Sequence, residues 1–330
     1  MKKLYLHIGA ANTGADILQR NLYRNRKSLM QAGIYYPSEP YGMESSSSIH
    51  GNSIALEKVI FSESYDERRL MALLGDYFRA SRGRDILFSG EKLEKLPVNA
   101  AKDLKHIANS YNFEVYIVYY VRAIVDQIVS LYYKAVMTRG LNRSMKEMFD
   151  LYISYEGHYR FVQSVAKFSD IFGRDALVVK NMDGVKGFLF EDFVETVLGL
   201  DRESVAQLDV EYPRESRIPT PYELELVRHI NGVMGDSPAS SLLAEALLVE
   251  NPSESDKMKI DAESARRLVE KFDGDTKLLN RFISAGEKRL ETIESVEIVE
   301  EMERFALRPF QSASLAMIMH MAKEIRKGVR

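Results

Sequence analysis

Two glycines frame the segment Gly9-Ala10-Ala11-Asn12-Thr13-Gly14-Ala15-Asp16, with the G-x-x-x-x-G spacing of a phosphate-binding loop. Such a loop wraps an anion with backbone N–H groups at a helix N-terminus, where the macrodipole favours negative charge. A nucleoside triphosphatase needs Lys and then Ser or Thr at positions 15 and 16. Ala15 and Asp16 stand there, so this loop offers no amine to a β/γ-phosphate and no hydroxyl to Mg²⁺, which argues against triphosphate hydrolysis. Asp16 admits two readings. Thr13-Gly14-Ala15-Asp16 matches a capping box, in which Thr13 caps the Asp16 N–H and Asp16 returns to the Thr13 N–H. Alternatively Asp16 binds a cation or acts as a base. The capping box is the primary reading. A second charged position, Arg122, closes the most strand-like run of the chain; a guanidinium there can meet a phosphate with two parallel hydrogen bonds, or pair with a nearby carboxylate such as Asp126.

The elements that must position these groups follow from periodicity. Leu4–Gly9 reads as a buried strand, and Thr13–Ala32 as a helix with Ile17, Leu18, Leu22 and Leu29 on its apolar stripe and Gly33 behind it. Ile34–Pro37 is extended, Ser38–Asn52 is a polar loop, and Ala55–Ser81 has helical spacing. Asp85–Ser89, Glu114–Val121 and Ala176–Lys180 read as strands, and Val98–Tyr111, Val125–Thr138 and Tyr159–Phe172 as the helices between them. Strands alternating with helices predict an α/β fold of three layers, P-loop-like, with a mainly parallel central sheet. Beyond Phe188 the pattern is almost wholly helical, broken at Pro213–Pro221 and Asn251–Asp256, with a short amphipathic helix over Ser314–Arg326. The expected division is an α/β core over 1–200 and a helical C-terminal region over 201–330, packed on the core.

The run His7-Ile8-Gly9-Ala10-Ala11-Asn12-Thr13-Gly14-Ala15-Asp16-Ile17-Leu18-Gln19 resembles the opening of bacterial sulfotransferase-family proteins, whose pattern is strand, His-Ile-Gly, two variable residues, Lys-Thr-Gly-Thr-Thr/Ser, an apolar residue, Leu and Gln. The likeness continues through Asn25-Arg26 and Ala32-Gly33-Ile34-Tyr35-Tyr36-Pro37, and a second block, Val121-Arg122 with Ser130-Leu131-Tyr132, matches as well. The resemblance implies a donor co-substrate, 3′-phosphoadenosine 5′-phosphosulfate. Its 5′-phosphosulfate would lie on Gly9, Asn12, Thr13, Gly14, Ala15 and Asp16, and its 3′-phosphate on Arg122 and Ser130. It implies sulfuryl transfer to a hydroxyl of a carbohydrate or small acceptor. The alternative is a catalytically inactive protein of the same fold that binds a ligand or a partner.

The departures fall where charge develops. The family's loop lysine is Asn12, and its two hydroxyl residues are Ala15 and Asp16. Asparagine donates only neutral hydrogen bonds, worth about 0.5–1.5 kcal/mol net against about 1.5–3 for charged ones. Losing one donor to a developing charge commonly costs ~10²–10³ in rate. A transferase of this kind also needs a base for the acceptor proton. Glu91, just after the strand Asp85–Ser89, is the first candidate, and His50 in the polar loop the second. Lys180 is weighed as a replacement for the missing charge but reads better as a solvated strand end, and His7 as a core histidine. Glu294, Glu297, Glu300, Glu301 and Glu303 read as one solvated helix face.

Composition bounds the rest. The 330 residues carry 45 Lys+Arg against 48 Asp+Glu, a net charge of −3, which argues against a general nucleic-acid binder. The absence of cysteine excludes a disulfide scaffold, a thiolate zinc site and a cysteine nucleophile. The histidines show no metal-ligand spacing, so no metal is expected. No apolar run reaches the ~20 residues of a membrane span. Met1–Gly9 reads as a strand and not as a signal peptide, and a cytoplasmic location is expected.

Overall fold

The structure is a computed structural model that describes residues 1–37, 51–212, 218–234, 244 and 257–300. It is an α/β fold, as expected, built on a five-stranded parallel sheet. The chain opens with β1 (Lys2–His7), α1 (Ala15–Arg24), α2 (Arg26–Gln31) and a two-residue β2 (Ile34–Tyr35). It continues through α3 (Ile54–Ile60), α4 (Glu67–Ser81), β3 (Asp85–Ser89), α5 (Val98–Ser110) and β4 (Phe113–Val121). Next come α6 (Ile124–Thr138), α7 (Met145–Ser154), α8 (Arg160–Phe172) and β5 (Leu177–Asn181). α9 (Leu189–Asp192) runs on as a π-helical turn over Phe193–Val197, followed by α10 (Arg202–Ala206). The last elements are α11 (Pro221–Met234), β6 (Lys259–Asp261), α12 (Ala262–Asn280) and β7 (Glu297–Val299).

Two compact units result. The first comprises Met1–Arg122, His158–Pro213 and Lys277–Leu290; the second comprises Ala123–Gly157, Arg214–Thr276 and Glu291–Arg330. These units are discontinuous in sequence, whereas the expected ranges 1–200 and 201–330 are continuous.

The first unit holds the sheet, in the order β2-β3-β1-β4-β5 with every pair parallel. Strand alternation assigns its two faces. Tyr5, Leu87, Val118 and Tyr120 join Leu18 and Leu22 of α1 and Leu189, Phe190 and Phe193 in one buried layer. On the opposite face Phe88 meets Tyr77 of α4, Phe113 stacks on Phe78, and Tyr119 meets Phe161 of α8 edge to face. Covered on both sides, the central strands read as near-continuous apolar runs, which is why they were legible. The β5 edge carries a further contact. Val179 bridges Ile283 in parallel, and the Ser284 N–H donates to the Val179 carbonyl at 2.9 Å.

The expected helix Thr13–Ala32 is two helices, with a break at Asn25. The Asn25 side chain donates to the carbonyls of Asn21 and Asp209 and accepts the Asp209 N–H, so a distant segment is bound in place of a continued helix. Ala55–Ser81 likewise divides into α3 and α4, the latter capped by Asp66.

In the second unit α11 packs on α6, where the Asn231 amide donates to the carbonyls of Val136 and Leu141 at 2.7 and 2.9 Å. The expectation of an almost wholly helical chain beyond Phe188 is corrected by the parallel pair β6–β7. The acidic cluster is corrected with it. Glu297 lies in β7 and Glu294 in a turn whose N–H donates to buried Asp126, while Glu301, Glu303 and the helix expected over Ser314–Arg326 lie outside the described residues. Among the described residues no helix is long and apolar enough to cross a membrane.

Phe193 is fully buried against His7 and Tyr120. Phe193→Ala should cost about 3–5 kcal/mol through the cavity it leaves. A lowered urea midpoint checks this.

Candidate functional site

β1 passes the chain toward β2 on one side of the sheet, while β4 passes it toward β5 on the other. β1 and β4 are neighbours, so their carboxyl ends flank the switch point at which open α/β sheets bind ligands. The loop Gly9–Gly14 leaves from one end and Arg122 from the other.

The loop is tightly determined. A Cβ on Gly9 would lie 2.9 Å from the Ala15 Cβ and 3.2 Å from the His7 ring, so only glycine lets the loop fold back on the helix start. Gly14 has φ 77°, and a side chain there would also strike Leu189 at 2.3 Å. Asn12 has φ 63°, a left-handed conformation that asparagine tolerates better than most residues. Thr13 is fully buried, and its hydroxyl donates to the Ala10 carbonyl at 2.7 Å.

This geometry overturns the capping box. Gly14, not Thr13, occupies the N-cap of α1, and the helix has no side-chain cap. With Gly14 in the left-handed region, the Thr13 hydroxyl staples the loop to itself. Asp16 is exposed in the first turn, and the N–H groups of that turn have no intrahelical acceptor.

Behind the loop sits His7. Its Nδ1 lies 2.8 Å from the Ser89 hydroxyl, and Phe193 and Tyr120 meet its ring edge to face. Its Nε2 is buried without a partner, and burial pushes its pKa down to about 4. It is the core histidine expected from sequence.

Arg122 pairs with Asp183, its Nη2 3.3 Å from Oδ1. A carboxylate partner for Arg122 was anticipated from sequence, and Asp183 is one; Asp126, in the second unit, accepts the Ser295 N–H and hydroxyl at 2.6 and 2.5 Å. Asp183 lies in the turn Met182–Gly184 directly after β5, where the Asn181 Oδ1 accepts its N–H at 3.0 Å. A carboxylate just beyond a strand neighbouring β4 was the signal that could have found it.

Lys180 is not a solvated strand end. It is 2% exposed, and its Nζ reaches Asp192 at 2.7 Å, Glu287 at 2.8 Å and the Thr196 hydroxyl at 2.6 Å. Tyr120 donates to the other Asp192 oxygen at 2.7 Å. Alternation turns Lys180 toward the α9 layer, where a buried amine requires carboxylates; removing one member of such a group costs about 3–5 kcal/mol.

Glu91 is exposed, in a 3₁₀ turn after β3, on the same carboxyl edge as Gly9 and Arg122. Beside it, Asn52 and Ser53 bind the end of β3. Asn52 accepts the Ser89 N–H at 2.8 Å and donates to the carbonyls of Leu87 and Pro37, and Ser53 donates to Glu57 at 2.6 Å. Sequence reading missed these three polar residues. His50 lies outside the described residues. Ser130 lies on α6, in the second unit. Among the described residues no group of three or more His, Asp or Glu is placed to hold a metal ion.

No protein-family model matches the chain, and no curated protein matches it. Among solved structures, a sulfotransferase from Alicyclobacillus acidocaldarius is similar over 77% of this chain and 98% of that chain, at 15% identity and a TM-score of 0.35. So loose a likeness transfers no residue role.

His7 generates a pH prediction. Its folded pKa lies below the unfolded value of about 6.5, so between those values the unfolded chain binds more protons. Stability should therefore fall as pH drops from about 6.5 toward about 4, by up to ~1.4 kcal/mol per pH unit from this group. Urea unfolding at pH 7 and 4.5 should show the loss in the wild type and a smaller one in His7→Gln.

Proposed function

We propose that this chain is a sulfotransferase-like protein that binds a 3′-phosphorylated adenosine nucleotide at the carboxyl edges of β1 and β4 and does not itself move a sulfuryl group. The observation that carries the reading is the adjacency of those strands, which brings the glycine-framed loop at the start of α1 and Arg122 to one edge of the sheet. The loop residues Gly9–Gly14 would hold the 5′-phosphate end by backbone N–H groups, and Arg122 the 3′-phosphate by its planar fork.

Transfer would break the bond between the sulfuryl sulfur and the donor's 5′-phosphate oxygen, leaving adenosine 3′,5′-bisphosphate. Sulfuryl transfer builds charge on the 5′-phosphate, and the side chain offered there is the neutral amide of Asn12. Lys180, the other amine weighed for that role, is already committed to Asp192 and Glu287. Exposed Asp16 in the first turn adds negative charge where a donor would bring more.

Sulfuryl transfer to a hydroxyl of a carbohydrate or small acceptor is the second reading. The placement of Glu91 favours it, because a base for the acceptor must reach solvent on the ligand edge.

Calorimetry with adenosine 3′,5′-bisphosphate and a labelled-sulfate transfer assay on a glycan panel separate the two. Saturable binding with no transfer above buffer is expected, and Asn12→Lys should tighten binding about tenfold, the scale of one charge-assisted hydrogen bond. Robust wild-type transfer, lowered ~10²-fold or more by Glu91→Gln, would replace the first reading by the second. Absence of nucleotide binding would remove both.

A further inference from the structure

Arg122 and Asp183 are 11% and 8% exposed, so their charges face each other with little solvent screening. They are brought together by register. Val121, the last residue of β4, pairs with Asn181, the last of β5, and each strand then turns at the same edge. The Asn181 side chain fixes the turn that presents Asp183, and its amide donates to the Lys288 carbonyl at 3.3 Å. Asp183 is thus held from a scaffold of its own rather than by Arg122 alone.

The contact is also weaker than what Arg122 can make. At 3.3 Å the Nη2–Oδ1 separation exceeds the 2.7–2.9 Å of a good charge-assisted hydrogen bond. A phosphate monoester carries up to two charges and three oxygens, where a carboxylate carries one and two. Resting on the reading of this edge as a nucleotide site, we infer that Asp183 is a built-in competitor for Arg122: an internal carboxylate that a ligand's 3′-phosphate must displace. In the absence of ligand Asp183 offsets the Arg122 charge where little solvent can do so. It also sets a threshold, because ligands lacking a phosphate monoester at that position gain nothing from displacing Asp183.

Calorimetric titration of wild type, Asp183→Asn and Arg122→Met with adenosine 3′,5′-bisphosphate and with adenosine 5′-monophosphate tests this. Asp183→Asn should bind the bisphosphate about tenfold or more tighter, with its affinity for the monophosphate unchanged. Arg122→Met should lose the preference for the bisphosphate. Circular dichroism confirms that each variant is folded, and Asp183→Ser takes the place of Asp183→Asn should the latter not fold. If the wild type binds the bisphosphate and neither Asp183 variant gains, the competitor role is wrong and the nucleotide reading stands. If tightening is equal for both nucleotides, Asp183 acts on general charge and not on Arg122, and the proposal is again overturned. If no variant binds either nucleotide, the reading of the edge itself fails.

Discussion

Leu4 and Leu6 of β1 turn to one helical layer, and Tyr5 and His7 to the other, so this strand has no solvent face. A slip of one residue would exchange the faces and carry Lys3 into the buried register. The pairing of β1 with β3 and β4 is therefore fixed, and with it the point at which the chain leaves the sheet. Everything at the candidate site hangs on that exit. Gly9 lies where it can approach Ala15 only because β1 ends at His7, and Arg122 lies at the adjoining strand end because β4 runs parallel in matched register.

The sequence-level expectations succeeded where local pattern and global burial agree. Glu114–Val121 was read as a strand from its β-branched and aromatic run, and β4 spans Phe113–Val121. Asp85–Ser89 coincides with β3. They fell short where a side chain answers to a distant partner. Asn25 breaks the first helix because it binds Asp209, and no window around position 25 contains that information. Lys180 was read as solvated because strand-end lysines usually are; its carboxylates arrive from α9 and from the segment 277–290.

The candidate site divides along the same line. The glycine spacing of the loop was visible and so was the missing lysine, because both are facts of a short segment. The capping box was visible and wrong. Thr13 and Asp16 have the required spacing, but the left-handed backbone at Gly14 shifts the helix start by one residue and turns the hydroxyl back to Ala10. Charge balance shows the difference in scale: a net −3 says nothing about whether one guanidinium faces one carboxylate.

The two rims of the sheet are finished differently. A parallel sheet normally leaves rows of unsatisfied N–H and C=O groups along its outer strands, open to a strand from another chain. Here one rim is only the two residues of β2, too brief to template a foreign strand. The other is bridged at its midpoint by Ile283, and the Ser284 N–H takes up the Val179 carbonyl. This sheet is in that way guarded against growing into a ribbon, and association of two copies by continued pairing on its rims is disfavoured.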